Sequence, residues 1–215
     1  GFPLEVATDS LPPLAKFPGE FGILELEEGG VLPVTLRDLE PEVAARQTGF
    51  ADAMPARSLR LTDDDALIAG WMQRVVEAMQ RSGEWVQGDD GGHRWVERTG
   101  SESVFSGDDE TSAFLVPKPN GPKSFEVVGI PLKEPGFHVV ELASPKLGAA
   151  LLGEERPRYV ATAALVTNMA VHFLRGRESS LVWVTSLDEG APVAGAAVRV
   201  SDPCTGEALW RGETD

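Results

Sequence analysis

The sequence predicts an all-β fold of two consecutive β-sandwiches, of which the first carries one inserted helix and the second is incomplete. Two observations support this prediction. Short segments with an apolar residue at every second position follow one another along most of the 215 residues, separated by glycine, proline and acidic turn residues. Only one segment has the three- and four-residue apolar spacing of a long helix. Short alternating strands with turns between them are typical of a sandwich.

The first half of the chain contains five predicted strands, each with full or partial alternation of apolar and other residues. Between Phe21 and Leu26, for example, Phe21 and Ile23 fall on one face and Leu24 and Leu26 on the other. The five segments are FPLEVAT (2–8), FGILELEE (21–28), VLPVTLR (31–37), KSFEVVGIPL (123–132) and FHVVELAS (137–144).

Residues 63–82 predict an amphipathic helix. Thr62 is a candidate N-cap with Asp65 closing an acidic capping box, and Gly83 lies where a C-terminal cap is expected. The apolar stripe is wide, so we expect the helix to cover a sheet face or an open sheet edge. The stripe consists of Leu67, Ile68, Trp71, Met72, Val75, Val76 and Met79.

The domain boundary is predicted in the glycine-, proline- and charge-containing segment 145–157. It divides the chain into a sandwich with a helical insertion over residues 1–150 and a partial sandwich over residues 158–215. Residues 86–124 are patterned more weakly, and their turn sequences predict hairpins around short segments at 94–97 and 113–116.

Five further strands are predicted after the boundary: YVATAALVT (159–167), MAVHFLRG (169–176), SSLVWVTSL (179–187), GAAVRVSD (195–202) and EALWRGET (207–214). Because an immunoglobulin-like sandwich needs about seven strands and ~100 residues, we expect this second domain to be incomplete at Asp215. The chain also begins and ends in patterned sequence, which predicts a piece of a longer protein.

Composition excludes several classes of function. Acidic residues outnumber basic ones, 34 to 19, giving a formal charge of −15, which disfavours binding to nucleic acid or to an anionic membrane surface. No run approaches the ~20 apolar residues of a membrane span. A single cysteine rules out a disulfide framework within the chain and a multi-cysteine zinc site.

No residue pattern predicts a catalytic, cofactor-binding or metal site. Cys204 lies near Glu207, but no histidine is close in sequence to act as a base. His138 and His172 sit between apolar residues in predicted strands, and no G-x-S-x-G elbow is present. We therefore expect Cys204 in a turn and both histidines in structural positions.

Three acidic clusters are candidates for metal ligands: 63–65, 89–90 together with His93, and 108–110. None has the D-x-D-x-D-G spacing of a calcium loop or two histidines at ligand spacing. We expect a helix cap at the first cluster and solvated loops at the other two.

The five tryptophans are expected mostly in the core. Trp85 and Trp95 are the exceptions, because they flank the loop VQGDDGGHR (86–94) and could be exposed together as a platform for sugar rings.

Two long stretches resemble the bacterial alpha-2-macroglobulin family. They are ALVTNMAVHFLRGRESSLVWVTSLDEGAPVAGAAVRVSDPCTGEALWRGETD (164–215) and the preceding PGFHVVELASPKLGAALLGEERPRYVATA (135–163). The first is similar to a macroglobulin-like domain of that family and the second to the linker between consecutive domains. The resemblance covers about residues 130–215.

The resemblance implies tandem fibronectin- or immunoglobulin-like sandwiches that act as scaffold in a broad-spectrum endopeptidase inhibitor. In the family a protease cuts a bait region, the molecule changes conformation, and some members trap the attacker through a Cys-Gln thioester. The thioester signature Cys-x-Glu-Gln is absent here, since Cys204 is followed by Thr205, Gly206 and Glu207.

The implied partners are other domains of the same chain, target proteases and a periplasmic peptidoglycan synthase, with no cofactor, no nucleic acid and no direct membrane contact from this segment. The implied location is the periplasm, with the full-length protein lipid-anchored to the inner membrane. From the residues alone, a carbohydrate- or surface-binding adhesin module remains the alternative.

Overall fold

The structure is a computed structural model that describes residues 12–37, 39, 53–62, 64–88, 91–108, 110–117, 126–153 and 156–215. The strand predicted at residues 2–8 lies outside these ranges. The elements in chain order are β1 (Leu14–Lys16), β2 (Phe21–Glu25), β3 (Val31–Arg37), β4 (Ala53–Leu61), α1 (Asp65–Met79), β5 (Gly83–Gln87), β6 (His93–Glu97), β7 (Ser112–Pro117), β8 (Glu126–Pro131), β9 (Gly136–Ser144), α2 (Pro145–Leu147), a π-helical turn (Gly148–Leu152), β10 (Arg158–Thr167), β11 (Met169–Arg175), β12 (Ser180–Ser186), β13 (Ala197–Ser201) and β14 (Ala208–Glu213).

Two sheets make up what we call the first strand set. One has the order β1-β3-β8 and the other the order β2-β10-β9-β4-β7, in which only the β2–β10 pair is parallel. The sheets enclose a shared hydrophobic core that includes the fully buried Val34, Val140 and Val166. Alternation along β3, β9 and β10 turns these side chains to one face, so the predicted sandwich is confirmed.

Helix α1 covers the opposite face of the five-stranded sheet, as the apolar stripe predicted. Trp71 and Val75 are buried there in a cluster with Phe105, Val139 and Ala163. The long sheet therefore has a sandwich core on one face and a helix-covered core on the other.

The predicted helix caps are wrong at both ends. The N-cap is Asp64, not Thr62, and its carboxylate accepts a hydrogen bond from the Leu67 amide at 2.9 Å. The helix ends at Met79. Gly83 belongs to β5, where a Cβ atom would come within 2.4 Å of the Trp95 ring, so this glycine admits the ring and does not cap the helix.

The predicted position of the second domain's first strand is also wrong. Residues 159–167 belong to β10, which pairs with β9 and β2 inside the first strand set. Residues 145–152 form α2 and the π-helical turn between β9 and β10, two neighbouring strands of one sheet, so the predicted boundary falls between two strands that pair with each other.

The second strand set comprises two antiparallel hairpins, β11–β12 and β13–β14, linked by an isolated bridge between Thr185 and Pro192. The four strands lie where the sequence predicts them. Val184 is buried, but much of the apolar surface is exposed: Met169, Val171, Phe173, Leu174, Leu181, Trp183, Leu209 and Trp210.

The weakly patterned middle of the chain divides between two structures. β5 and β6 form the hairpin expected around residues 94–97. The segment expected around 113–116 becomes β7, which pairs with β4 at the edge of the five-stranded sheet. None of the described helices is long and apolar enough to cross a membrane.

Candidate functional site at the joint between the strand sets

A single residue, Asn168, separates the two strand sets. Its side-chain oxygen accepts from the Glu27 amide at 3.1 Å, and its side-chain nitrogen donates to Glu27 Oε1 at 2.9 Å. Its own carbonyl accepts from the Leu187 amide at 2.9 Å. Asn168 thus bonds to the turn after β2 and to the end of β12 at once, which fixes the direction in which the chain leaves β10.

A second contact links helix α1 to the β13–β14 hairpin. Asp65, the first residue of the helix, accepts hydrogen bonds from the Arg199 guanidinium and the Ser201 hydroxyl. These bonds, with Arg199 first, lower the pKa of Asp65 below its ordinary value of 3.8, and the charge of Arg211 acts in the same direction. Arg211 lies directly opposite Arg199 in the hairpin, so one carboxylate offsets the repulsion between two cations.

The turn between β13 and β14 packs against the same helix end. Gly206 has a φ of +72°, and a Cβ atom built on it would lie 2.4 Å from the Ala66 Cα. Only glycine satisfies both the left-handed backbone and this close approach. We call the contacts of Asn168, Asp65 and Gly206 the joint.

The joint holds the relative direction of the two strand sets by polar and steric contacts. The side chains of Asp65 and Arg199 are 27% and 37% exposed, so dissolved ions screen their attraction only in part. These contacts give the two strand sets a defined relative orientation.

Sequence reasoning missed the joint. It assigned Asp65 to the helix cap, because its partners Arg199 and Ser201 lie more than 130 positions away. The presence of Asn168 between two strand-like segments was the one local signal, since asparagine is common where a chain turns out of a strand.

Cys204 lies exposed in the β13–β14 turn, as expected. Its amide and that of Thr205 donate to the Asp202 carboxylate at 2.8 and 3.0 Å. These backbone bonds, with Cys204 first, lower the pKa of Asp202. The amide of Glu207 donates to the Thr205 hydroxyl, so the residues around the thiol have turn-forming partners.

The described aspartates of the acidic clusters form structural contacts with other parts of the chain. Asp64 caps the helix, Asp65 belongs to the joint, and Asp108 Oδ2 accepts from Arg74 at 2.6 Å. Residues 63, 89, 90 and 109 lie outside the described ranges. Within the part of the chain that the structure describes, no three His, Cys, Asp or Glu side chains are grouped closely enough to hold a metal ion.

The two strand histidines differ in environment. His138 is buried in β9 with Nε2 2.8 Å from the Glu134 carbonyl, and burial lowers its pKa below the ordinary 6.5. His172 is exposed in β11. His93, considered with the second acidic cluster, is exposed in β6.

The expectation that most tryptophans are in the core is wrong. Trp71 is buried, with its ring 5.3 Å from Phe105 and the Arg74 guanidinium 4.3 Å from its centroid. Trp85, Trp95, Trp183 and Trp210 are all exposed. The hairpins that carry these four each have only two strands, so they provide little apolar surface to cover an indole.

One family model and two solved structures match this chain. Residues 166–215, which begin two positions before Asn168, match the family model described as the bacterial alpha-2-macroglobulin MG3 domain. No curated protein matches the chain.

Two solved structures share the fold, both of native alpha-2-macroglobulin from Escherichia coli. The one spanning domains NIE-MG1 has 18% sequence identity and a TM-score of 0.56, covering 97% of this chain and 85% of that chain. The one spanning MG0-NIE-MG1 has 15% identity and a TM-score of 0.52, covering 98% of this chain and 57% of that chain. The second strand set therefore matches a domain model of the bacterial alpha-2-macroglobulin family, and the chain as a whole shares its fold with two fragments of the E. coli alpha-2-macroglobulin.

Proposed function

We propose that this chain is a non-catalytic scaffold segment of a bacterial alpha-2-macroglobulin-like, broad-spectrum endopeptidase inhibitor, a protease trap that protects the periplasm. The joint is the observation that carries the proposal. A trap must hold its domains in one arrangement before cleavage and another afterwards. A one-residue connection with releasable polar contacts suits both requirements.

The domain division that fits this proposal differs from the predicted one. We place the first domain up to Thr167 and the second from Asn168 onwards, because β10 belongs to the first strand set and the family match begins at residue 166. This division is supported by the family model for an MG3 domain, which matches residues 166–215, and by the E. coli structure that spans two consecutive domains, NIE and MG1.

A structural role is supported by the partners of the reactive side chains. The Asp64 carboxylate accepts from a helix amide, and the Asp108 carboxylate accepts from Arg74. The Asp65 carboxylate accepts from an arginine and a serine of the β13–β14 hairpin. Cys204 lies in a turn held by Asp202. In this proposal the chain holds neighbouring domains of the inhibitor in a defined arrangement. The bait region and any thioester belong to other parts of the protein.

The remaining features of the proposal follow from the family. The partners are neighbouring domains, target proteases and a periplasmic peptidoglycan synthase. The full-length protein resides in the periplasm on a lipid anchor in the inner membrane.

Inhibition by the longer protein that carries this chain tests the proposal. Incubation with trypsin and with elastase should block hydrolysis of a large protein substrate while a short peptide substrate is still cut, because a trapped protease is shielded by size. The chain alone should neither inhibit these proteases nor hydrolyse either substrate. Undiminished cleavage of the large substrate by both proteases would overturn the proposal.

A matched pair of variants examines the joint within that assay. Asn168→Ala should reduce trapping while the bait is cut at the same rate, because the strand sets lose their fixed direction. Asp188→Ala, in the exposed turn after β12, changes a polar residue outside the joint and should trap like the wild type. Equal trapping by both variants would remove the joint from the mechanism.

A further inference from the structure

Two exposed tryptophans occupy one face of the β5–β6 hairpin. Trp85 and Trp95 lie directly opposite each other, with ring centroids 5.8 Å apart and planes at 70°. Trp85 is 67% exposed and Trp95 is 41% exposed. Large aromatic surface left in water on a soluble domain commonly marks a binding surface.

The hairpin holds this pair in a defined shape. Gly83 leaves room for the Trp95 ring, whose Cζ2 atom would be 2.4 Å from a Cβ at position 83. The strand backbone therefore supports one side of Trp95, and Trp85 stands nearly perpendicular to it. The two indoles form a corner with an open face on Trp85.

Polar groups flank the corner at both ends. The next cross-strand pair on the same face is Gln87 and His93, and both are exposed. At the other end, Glu97 accepts from the Thr99 hydroxyl and pairs with Arg81. The Glu84–Arg98 ion pair, 2.6 Å between its charged atoms, lies on the opposite face of the hairpin.

The charge and shape of the corner select among ligand classes. In a chain of formal charge −15, a face made of two indoles, an amide and an imidazole complements an uncharged ligand and gives no attraction to an anionic polymer. A sugar ring fits it, because its C–H face stacks on an indole while its hydroxyls bond to amide and imidazole groups.

We propose that the Trp85–Trp95 face of the β5–β6 hairpin binds a neutral oligosaccharide. The indole of Trp85 stacks on a sugar ring, Trp95 contacts the edge of the same or the next ring, and Gln87 and His93 bond to hydroxyl groups. This site is independent of the joint and of the scaffold role.

Calorimetric titration of the whole chain with cellotetraose, chitotetraose and maltotetraose tests the proposal. At least one should bind, and Trp85→Ala should weaken that binding at least about tenfold, the equivalent of ~1.4 kcal/mol. Trp210→Ala removes another exposed indole and should bind like the wild type. Absence of binding by all three sugars at millimolar concentration would overturn the proposal.

Two further variants separate binding from hairpin stability. Gln87→Ala and His93→Ala leave both indoles in place, and each should weaken sugar binding while thermal unfolding is unchanged. If Trp85→Ala lowers the unfolding temperature and neither polar variant changes sugar binding, the sugar binds elsewhere on the chain and the two tryptophans only stabilise the hairpin, which would overturn the proposal. Binding of a proline-rich peptide in place of any sugar would equally contradict the assignment.

Discussion

Glu141 on β9 lies directly opposite Arg57 on β4, and both side chains form hydrogen bonds with the loop between β6 and β7. The buried carboxylate accepts from the Ser103 hydroxyl at 2.7 Å and the Val104 amide at 2.6 Å. The guanidinium donates to the Thr111 hydroxyl and the Asp108 carbonyl. Together they hold Ser103, Val104, Asp108 and Thr111 against the sheet, beside the end of the core that α1 covers.

The buried carboxylate makes stability depend on pH. Burial raises the pKa of Glu141 above its ordinary 4.5, outweighing its hydrogen bonds. The folded state therefore holds this proton more tightly than the unfolded state. Its contribution is fully present below pH 4.5 and is lost as the pH rises through the folded pKa.

Glu141→Gln should remove that dependence, because an amide does not titrate and can still accept from Val104 and donate to Ser103. Chemical unfolding at several pH values between 4 and 8 measures it. Glu110→Gln, which changes an exposed acid in the same loop, should keep the wild-type profile. Parallel profiles for wild type and Glu141→Gln would contradict the assignment.

Asp65→Asn should loosen the second strand set without unfolding the first. The partly exposed Asp65–Arg199 contact stabilises by about 1 kcal/mol or less. Because the pKa of Asp65 is lowered, its contribution is present above pH 3.8 and is lost as the pH falls through the folded value. Hydrogen exchange should become faster in β13 and β14 but not in β9. High salt should produce a similar effect in the wild type. Unchanged exchange in β13 would count against the joint.

Gly206→Ala should disturb the joint more than Gly190→Ala. Both glycines have positive φ, +72° and +67°, so both substitutions introduce backbone strain. Only at Gly206 would the new Cβ meet Ala66, whereas nothing lies within 4 Å at Gly190. The difference in unfolding free energy between the two variants measures the contact, and equal values would show that the turn does not press on the helix.

Fragments test the proposed domain division. A fragment of residues 1–167 retains β10 and should unfold cooperatively. A fragment of residues 1–157 loses β10, the strand between β2 and β9, and exposes core residues that remain in β9, such as Val140 and Leu142. It should be unfolded or aggregated. Cooperative unfolding of the shorter fragment, followed by calorimetry, would restore the predicted boundary.

Local patterning predicted most strands because period-two alternation is a property of neighbouring residues. β4 was missed because its apolar side chains change face, from Met54 and Ala56 to Leu59 and Leu61, as the strand passes from one core to the other. The predicted boundary lies between β9 and β10 because the sequence there is rich in glycine, proline and charge like a linker, whereas the pairing of these two strands is a long-range property that local patterning does not reveal. The contact of Asp65 with Arg199 and Ser201 joins residues more than 130 positions apart, so the pattern of neighbouring residues cannot predict it.

Asn168 also has a mechanical consequence. Because no slack chain lies between β10 and β11, tension on the second strand set passes directly into β10, a central strand held by β9 on one side and β2 on the other. Force along such a strand loads its hydrogen bonds in shear, so they resist together. A force on the second strand set would therefore be transmitted through Asn168 to β10, and a displacement of the second strand set would displace the first strand set as well.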